Sequence, residues 1–259
     1  MSNYSSGAVL DPDATGASEK DAEKTVMVIV PTYNESENLP RLLDTLFNLG
    51  IPGLRVMIVD DNSPDGTGTL AEQIGREKFP GKVEVLHRPG KLGLGTAYIA
   101  GFKHALHKGA TYIVEMDADF SHDPQVLKKF MEAMKEADVA VGSRYVAGGS
   151  LDKRWKLIRR VISKGGSIYA RAILGLKVHD TTAGFKMFKR EVLEALPLDK
   201  VRSNGYGFQV EIAYLCQKNG FRVKEVPIHF NEREAGTSKM SARIAIEAAW
   251  KVWLIRFRY

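Results

Sequence analysis

Apolar residues in the first half of the chain form continuous runs, and each run ends in a cluster of polar residues. The run Thr25–Val30 is almost entirely apolar, which is typical of a strand covered on both faces of a parallel sheet. Between the runs, apolar residues recur at helical spacing, for example at Leu39, Leu42, Leu43 and Leu46. The pattern predicts further strands at 54–59, 82–86 and 111–116, and further helices at 67–78 and 96–107.

The second half of the chain carries a less regular pattern. It predicts a short strand at 139–142, a helix around 168–174, a helix at 208–218, a strand at 221–228 and a final helix from 241 to about 257. No internal repeat or linker divides the chain into two units. We therefore predict an α/β fold with one doubly wound, mainly parallel sheet in a single domain of residues 25–240, followed by an amphipathic helix at 241–259.

The N-terminal segment 1–24 differs from the rest of the chain. It consists largely of Ser, Gly, Asp, Ala and Glu with almost nothing to bury, which predicts a disordered tail. It lacks the basic start and apolar core of a secretory signal. No uninterrupted apolar run reaches the roughly 18 residues that a transmembrane helix needs, so none is expected.

The composition is that of an ordinary globular protein, with 44% hydrophobic and 26% charged residues. The single cysteine, Cys216, excludes an internal disulfide, and its place in a predicted helix favours a small buried side chain over a catalytic thiol. The net charge of +6 suits an anionic partner such as a nucleotide, a lipid phosphate or a membrane surface, although background surface charge would explain it equally. A nucleic acid is not expected, because no basic run is interleaved with aromatic residues.

The polar clusters at the strand ends are the candidates for chemistry, because ligands of such sheets gather beyond the carboxyl ends of the strands. Asp117 and Asp119 follow the strand at 111–116 and are separated by one residue. Two carboxylates at that spacing can share one divalent cation, and oxygen ligands favour Mg²⁺ or Mn²⁺ with substrate phosphates completing the coordination. The spacing alone is common, and its position after an apolar strand is what favours a metal site.

Two further clusters are candidates for holding a nucleoside. In the loop 31–35, Tyr33 offers a ring for a base and Glu35 a carboxylate for ribose hydroxyls. Asp60 and Asp61 could accept hydrogen bonds from base nitrogens or sugar hydroxyls. A plain turn would also explain the composition that follows Asp61.

A glycine-rich segment and three basic residues complete the candidates. The segment 90–95 either lies near a diphosphate or is a structural turn; it matches neither a dinucleotide fingerprint nor a Walker loop, so a dehydrogenase is not expected. Arg144 follows the strand at 139–142, and Arg233 and Lys239 flank a glycine-containing loop. Such cations can stabilise a leaving diphosphate, or they can be ordinary solvated charges.

The six histidines lack the spacing of a zinc site.

Taken together, these motifs resemble the dolichol-phosphate mannose synthase branch of the family 2 glycosyltransferases. The resemblance extends over about 26–239 and rests on seven segments in a fixed order: Pro31–Glu35, Val59–Thr67, Gly90–Gly95, Asp117–His122, Gly142–Tyr145, Asp180–Phe185 and Arg233–Lys239. It implies a GT-A (Rossmann-like) fold and transfer of mannose from GDP-mannose to a dolichyl or polyprenyl phosphate, with inversion at the anomeric carbon.

The resemblance also implies roles for individual residues. The nucleoside would be held by Pro31, Tyr33, Glu35, Val59 and Asp61, and the metal and diphosphate would be surrounded by Asp117, Ala118 and Asp119. The diphosphate, the sugar or the acceptor phosphate would be contacted by Arg144, Arg233 and Lys239, which with Asp119 form the implied catalytic set. Ser121 stands where some relatives have glutamine as an additional metal ligand, so the third protein ligand stays open, with water as a replacement.

The partners follow from the same resemblance. A phosphate acceptor is already anionic at neutral pH, so no general base is required. Many relatives carry C-terminal membrane spans, whereas this chain ends in a helix of apolar, aromatic and basic residues that suits either a bilayer interface or packing on the domain. We expect a peripheral protein on the cytoplasmic side of a membrane (endoplasmic reticulum in a eukaryote, plasma membrane in a prokaryote), with membrane-anchoring subunits as further partners. Two alternatives remain: a UDP-glucose-dependent glucosyltransferase and a non-catalytic nucleotide-sugar-binding protein.

Overall fold

The computed structural model describes residues 24–155, 157–232 and 242–259. Its strands, in chain order, are β1 (Val26–Thr32), β2 (Leu54–Asp60), β3 (Val83–His87), β4 (Tyr112–Glu115), β5 (Val139–Ser143), β6 (Ser150–Leu151), β7 (Lys186–Lys189), β8 (Val223–Pro227) and β9 (His229–Phe230). Its helices are α1 (Leu39–Phe47), α2 (Thr67–Glu77), α3 (Leu94–His107), α4 (Val126–Ala133), α5 (Leu157–Leu174), α6 (Arg190–Ala195), the 3-10 helix Leu198–Lys200, α7 (Tyr206–Lys218) and α8 (Ala242–Arg258). The predicted tail 1–24 lies, apart from Lys24, outside the described residues.

One seven-stranded sheet organises the molecule, in the order β3-β2-β1-β4-β7-β5-β8. The first four of these strands are parallel to one another, as the alternation of strands and helices predicts. Their carboxyl ends therefore lie along one edge of the sheet, where ligands of such folds bind. β6 and β9 form a separate parallel pair.

Both faces of the sheet are covered, and β1 shows why its sequence is continuously apolar. Val26, Val28 and Val30 pack into one hydrophobic layer, which includes the leucines of α1 and residues of α4. Met27 and Ile29 point to the opposite layer, where they meet α3, α6 and α7. Residues 26–30 are all fully buried because alternate side chains face two different cores. The doubly wound, mainly parallel fold is confirmed.

The second half of the sheet departs from the predicted pattern. β7 runs antiparallel to both β4 and β5 and was not predicted. It is four residues long with lysine at each end, so it does not read as an apolar strand. Its first residue, Lys186, is buried because Glu115 lies opposite it on β4 and accepts a hydrogen bond from its ammonium group at 2.7 Å. The predicted strand at 221–228 is the shorter β8, and β9 follows it.

Helices α5 and α8 pack against each other and add a third, smaller core. Ala170 and Leu174 of α5 meet Val252 and Ile255 of α8 there, together with residues of α7 such as Tyr214. Cys216 is buried on α7, as predicted. Burial raises the pKa of its thiol to about 12, which suits a structural side chain. No helix in the described part of the chain is both long and apolar enough to span a bilayer.

Candidate active site

The ends of β1 and β2 are tied together by a buried carboxylate. Asp60 accepts hydrogen bonds from the Thr32 hydroxyl at 3.0 Å and from the backbone N–H of Ser63 at 3.0 Å. The backbone N–H of Asp61 donates to the carbonyl of Thr32 at 3.0 Å. Asp60, a candidate ligand for a base or a sugar, thus uses its carboxylate to hold the two loops in place.

Asp61 forms an ion pair with a residue that was not predicted from the sequence, Arg88. Its carboxylate lies 2.9 Å from the guanidinium group of Arg88, just after β3, and both side chains are buried. Arg88 also donates to the Thr96 hydroxyl at 2.6 Å, at the start of α3. Burial raises the pKa of Asp61, while the Arg88 charge opposes this shift. The carboxylate of Asp61 and the guanidinium group of Arg88 thus form a fixed, buried polar pair at the ends of β2 and β3.

The remaining predicted nucleoside residues lie at the ends of β1 and β2 or in the loop that follows β1. Pro31 of β1 and Val59 of β2 are directly opposite each other in the sheet. The Tyr33 ring is partly exposed and lies 3.7 Å from the ammonium group of Lys91. The Glu35 carboxylate accepts a hydrogen bond from the Asn38 side chain at 2.8 Å, and its backbone N–H donates to the Thr67 hydroxyl at 3.0 Å.

Asp117, Ala118 and Asp119 follow β4, next to β1 in the sheet, as predicted. The Tyr98 hydroxyl, from α3, donates to Asp117 Oδ1 at 3.1 Å. Asp119 Oδ1 accepts the backbone N–H of Ser121 at 3.0 Å, which closes a tight turn. Adjacent strands lie about 4.8 Å apart, so the ends of β2 and β4 on either side of β1 are separated by roughly 10 Å. That separation is of the size that a nucleoside diphosphate spans.

The residues of this turn fit a divalent cation that is shared with a substrate. Within the described ranges, no three Asp, Glu, His or Cys side chains converge as an all-protein metal site would require. Magnesium is usually held by only one or two carboxylates, with phosphate and water completing its shell, and Asp117 and Asp119 supply such a pair. The Ser121 hydroxyl is buried and, among the described residues, has no hydrogen-bond partner. It is a third oxygen in the same turn.

The His122 ring holds the backbone of this turn in place. Its Nδ1 accepts the backbone N–H of Asp117 at 3.2 Å, and its ring stacks on Phe185 with centroids 5.0 Å apart. The ring also meets Phe230 edge-on at 5.4 Å. Burial lowers the pKa of His122, so the imidazole is neutral and can accept this hydrogen bond.

Arg144 and His122 both lie next to the Phe230 ring. The guanidinium carbon of Arg144 lies 5.3 Å from the Phe230 ring centroid. Arg144 is buried and bound in a bidentate manner by Asp180, with Nε–Oδ2 and Nη2–Oδ1 distances of 2.7 and 2.6 Å. Burial alone would lower the pKa of Arg144, but the Asp180 carboxylate outweighs it and raises that pKa. Arg144 is therefore a positioned cation whose charge is largely balanced.

The glycine-rich segment serves close packing at two of its positions. Gly93 has a φ of +102°, and a Cβ there would lie 3.0 Å from the Asn204 side chain. A Cβ on Gly95 would lie 2.7 Å from the carbonyl oxygen of Ser203. These contacts favour the structural alternative for this part of the segment. Arg233 and Lys239 lie outside the described residues.

Three residues of the site were missed or only partly recognised from sequence. Arg88 is a polar residue just after an apolar strand, and that is the signal used for the aspartates, so it could have been found. Asp180 lies in a motif of the resemblance, but nothing in the sequence pairs it with Arg144. Tyr98 reads as an ordinary core aromatic on a helix, and no sequence signal indicates its hydroxyl contact.

Comparison with known proteins identifies the family. The profile described as Glycosyl transferase family 2 matches residues 27–196. The chain is 46% identical over 255 residues to a polyprenol monophosphomannose synthase from Mycolicibacterium smegmatis, covering 97% of this chain and 93% of that protein. It is 47% identical over 227 residues to an undecaprenyl-phosphate mannosyltransferase from Micrococcus luteus, covering 88% and 92% respectively.

Solved structures agree on the fold. Glucosyl-3-phosphoglycerate synthase from Mycobacterium tuberculosis, crystallised with Mn²⁺, UDP and glucosyl-3-phosphoglycerate, superposes with a TM-score of 0.63 at 16% identity, covering 91% of this chain and 79% of that one. The same enzyme with Mg²⁺ and UDP gives a TM-score of 0.64 at 15% identity, again over 91% and 79%. The GT-A fold and the resemblance to the polyprenyl-phosphate mannose synthases are thereby confirmed. The chain is an enzyme that belongs to glycosyltransferase family 2.

Proposed function

We propose that this enzyme transfers mannose from GDP-mannose to a dolichyl or polyprenyl phosphate, with inversion at the anomeric carbon. The observation that carries the proposal is the placement of the Asp61–Arg88 pair and the Asp117–Asp119 turn at the ends of β2 and β4, the two strands that flank β1. The choice of mannose as the sugar and of a polyprenyl phosphate as the acceptor is supported by the names of the two relatives at 46% and 47% identity.

The donor would lie across the carboxyl ends of β2, β1 and β4. Its guanine base would meet Tyr33 and the Asp61–Arg88 pair, with Pro31 and Val59 forming the floor. Glu35 would take the ribose hydroxyls. A carboxylate suits guanine in particular, because guanine presents two neighbouring N–H donors on its Watson–Crick edge.

The diphosphate would lie at the turn after β4. Asp117 and Asp119 would hold Mg²⁺ or Mn²⁺ there, with the Ala118 backbone alongside and the Ser121 hydroxyl or a water as a further ligand. A bound cation would neutralise the charge that develops on the leaving diphosphate. Tyr98 and His122 fix the Asp117 side chain and backbone, so this carboxylate is oriented before the substrate arrives.

The transfer itself would be one in-line displacement. An oxygen of the acceptor phosphate attacks the anomeric carbon of mannose, the bond from that carbon to the diphosphate breaks, and GDP leaves with the electron pair. No proton has to be removed from the attacking oxygen, because the acceptor phosphate is already ionised. Arg144, held by Asp180, would orient the acceptor phosphate or the sugar. Arg233 and Lys239 are proposed to contact the diphosphate, the sugar or the acceptor phosphate.

The acceptor is membrane-bound, and two helices offer a surface for it. Exposed apolar side chains occur on α5 and on α8, namely Leu157, Ile158, Val161 and Ile168, and Trp250, Trp253, Leu254 and Phe257. At about 100° per residue, each set falls opposite the buried side of its own helix. Contiguous exposed apolar faces mark partner or membrane contacts.

Helix α5 also contacts the proposed acceptor side of the site, but through its buried side. The Tyr145 hydroxyl, next to Arg144, donates to the Ser163 hydroxyl of α5 at 2.7 Å, and Ser163 is opposite the exposed apolar face of that helix. A lipid whose chain lies along this apolar face would reach around α5 to bring its phosphate to Arg144. We propose a peripheral enzyme on the cytoplasmic side of a membrane, with α5 and α8 in the bilayer interface.

A transfer assay tests the reaction. Radiolabelled GDP-mannose and UDP-glucose are each offered with undecaprenyl phosphate, with Mg²⁺, with Mn²⁺ and with EDTA. We expect lipid-linked mannose from GDP-mannose with a divalent cation only, and a β-linked product by NMR from the α-linked donor. Faster transfer from UDP-glucose would contradict the proposed donor, and an α-linked product would contradict inversion.

Substitution of Asp119 tests the site within that reaction. Asp119→Ala is expected to abolish transfer, with at least about a 1,000-fold loss, because neutralisation of the leaving group is a large part of catalysis. Asp123→Ala is the matched control, since Asp123 is an exposed aspartate four positions later. A fully active Asp119→Ala enzyme would remove the metal assignment.

A further inference from the structure

A basic cavity opens at the C-terminal end of α8. Its volume is about 400 Å³, and it is lined by Pro197, Lys200, Arg202, Arg258 and Tyr259. None of these residues belongs to the nucleotide or metal site. Three of the five lining side chains are cationic, so the cavity has the electrostatic character of an anion site.

The three cationic side chains of this cavity differ in their pairing with carboxylates. Arg258 is held by Glu211 at 3.1 Å, and the Tyr259 hydroxyl donates to Glu211 at 2.9 Å. Lys200 and Arg202 are exposed, and no carboxylate of the described residues pairs with either side chain. The nearby Asp199 is already paired with Lys103. Two positive charges thus face a preformed cavity with their hydrogen-bond donors available.

The cavity borders the exposed apolar face of α8. On a helical wheel, Val252, Ile255 and Tyr259 mark the packed side, while Trp253 and Phe257 mark the opposite side. Arg258 falls between the two, on one flank of the apolar face. A cation at this boundary is at the level of lipid headgroups when the apolar face is in the acyl region.

We propose that this cavity binds the phosphate of an anionic glycerophospholipid, distinct from the polyprenyl phosphate acceptor. Lys200 and Arg202 would bind the phosphate oxygens, and Arg258 would close the site from α8. The proposal rests on the membrane contact of α5 and α8 proposed above. The exposed apolar faces alone would not distinguish anionic from neutral lipids. The cavity would add a requirement for anionic lipid. Bound lipid would orient α8 and thereby the whole enzyme on the bilayer.

Vesicle binding tests the site with the double variant Lys200→Ala/Arg202→Ala. The matched control is Lys128→Ala/Lys129→Ala on α4, which removes two exposed lysines. Vesicles contain phosphatidylcholine alone or an equal mixture with phosphatidylglycerol. A surface cation contributes about 1 kcal/mol to binding of an anionic membrane, so the cavity variant is expected to bind the mixed vesicles roughly 30-fold more weakly than the wild type. Its binding to pure phosphatidylcholine should be unchanged.

The control variant should bind mixed vesicles nearly as well as the wild type, and an equal loss in both variants would overturn a defined site. Transfer to a short, water-soluble polyprenyl phosphate should be unchanged in the cavity variant. If the wild type fails to bind either kind of vesicle, the membrane contact is wrong whatever the transfer assay shows.

A soluble lipid separates the headgroup from free phosphate and does not depend on membranes. Monomeric dihexanoyl phosphatidylglycerol should cause saturable NMR shifts at the amides of Lys200, Arg202 and Tyr259. Inorganic phosphate at the same concentration should cause much smaller shifts. Equal shifts with inorganic phosphate, or no shifts with the lipid, would overturn the proposal.

Discussion

Three non-glycine residues with positive φ lie beyond the ends of strands that form the site. Asn34, Asn62 and Phe120 have φ values of 60°, 58° and 58° and follow β1, β2 and the β4 turn respectively. Asparagine tolerates this conformation, but a bulky residue such as Phe120 does so at a cost. The guanidinium group of Arg41, 3.9 Å from the Phe120 ring centroid, helps to offset that cost. Backbone strain is therefore concentrated where the substrate is proposed to bind.

The Tyr98 hydroxyl orients Asp117 through one hydrogen bond. Tyr98→Phe removes the hydroxyl that donates to Asp117 but keeps the ring, which stacks on Phe208 with centroids 5.9 Å apart. We expect about 10-fold weaker Mn²⁺ binding in the presence of GDP, because groups that orient a metal ligand commonly contribute this much. The thermal midpoint should change little. Calorimetric titration measures the affinity.

Tyr112→Phe is the control for Tyr98, since Tyr112 is a mostly buried tyrosine on β4 that lies outside the site. It should bind Mn²⁺ as the wild type does. Unchanged Mn²⁺ affinity in Tyr98→Phe would show that the hydroxyl does not orient Asp117.

The contact between β4 and β7 depends on one buried lysine, Lys186. Lys186 donates to Glu115 at 2.7 Å, to the carbonyl of Ala183 at 2.6 Å, and to the side chain of Gln209. All three of its N–H groups are thus used. The cluster connects the strand that carries the aspartates to the segment that carries Asp180, so the two halves of the site share one support.

Removing this charge should destabilise the fold strongly. Lys186→Met leaves Glu115 buried without its cation, so we expect a loss of about 3–5 kcal/mol in the free energy of unfolding. Urea denaturation measures it. Adding Glu115→Gln to Lys186→Met should recover part of the loss, because the uncompensated charge is then gone.

Lys189→Met provides the comparison on the same strand. Lys189 is partly exposed and pairs with Asp138 at 2.9 Å, and such pairs contribute only about 0–1 kcal/mol. If Lys186→Met costs no more than Lys189→Met, the buried cluster does not hold the sheet together.

The parallel half of the fold was predictable because its strands are buried on both faces and therefore read as apolar runs. β7 was not, because its burial depends on a long-range partner, Glu115, that local sequence does not reveal. The aspartates of the site were found from their position after strands. Their supports, Tyr98, Arg88 and His122, act through tertiary contacts, and only Arg88 had a local signal. The sequence therefore predicted the groups that would contact the substrate better than the groups that position them.

At the scale of the whole molecule, the exposed faces of α5 and α8 should control attachment to membranes. Leu157 and Phe257, one on each helix, are 76% and 80% exposed, so Leu157→Ser/Phe257→Ser should fold normally. Burying each side chain in a bilayer is worth about 2 kcal/mol, which predicts at least about 100-fold weaker binding to phosphatidylcholine vesicles. Co-sedimentation measures it. Unchanged binding would place the membrane contact elsewhere, and transfer to a soluble acceptor should be retained.

The carboxylates at the end of β4 are proposed to bind a cation together with the diphosphate of a guanine nucleotide. Calorimetric titration of the protein with GDP and with UDP, each with Mn²⁺ and with EDTA, tests it most directly. We predict tight GDP binding only with Mn²⁺, weaker UDP binding, and no effect of Mn²⁺ on GDP binding in Asp119→Ala. GDP binding that is equally tight in EDTA, or a Mn²⁺ effect that persists in Asp119→Ala, would contradict the account.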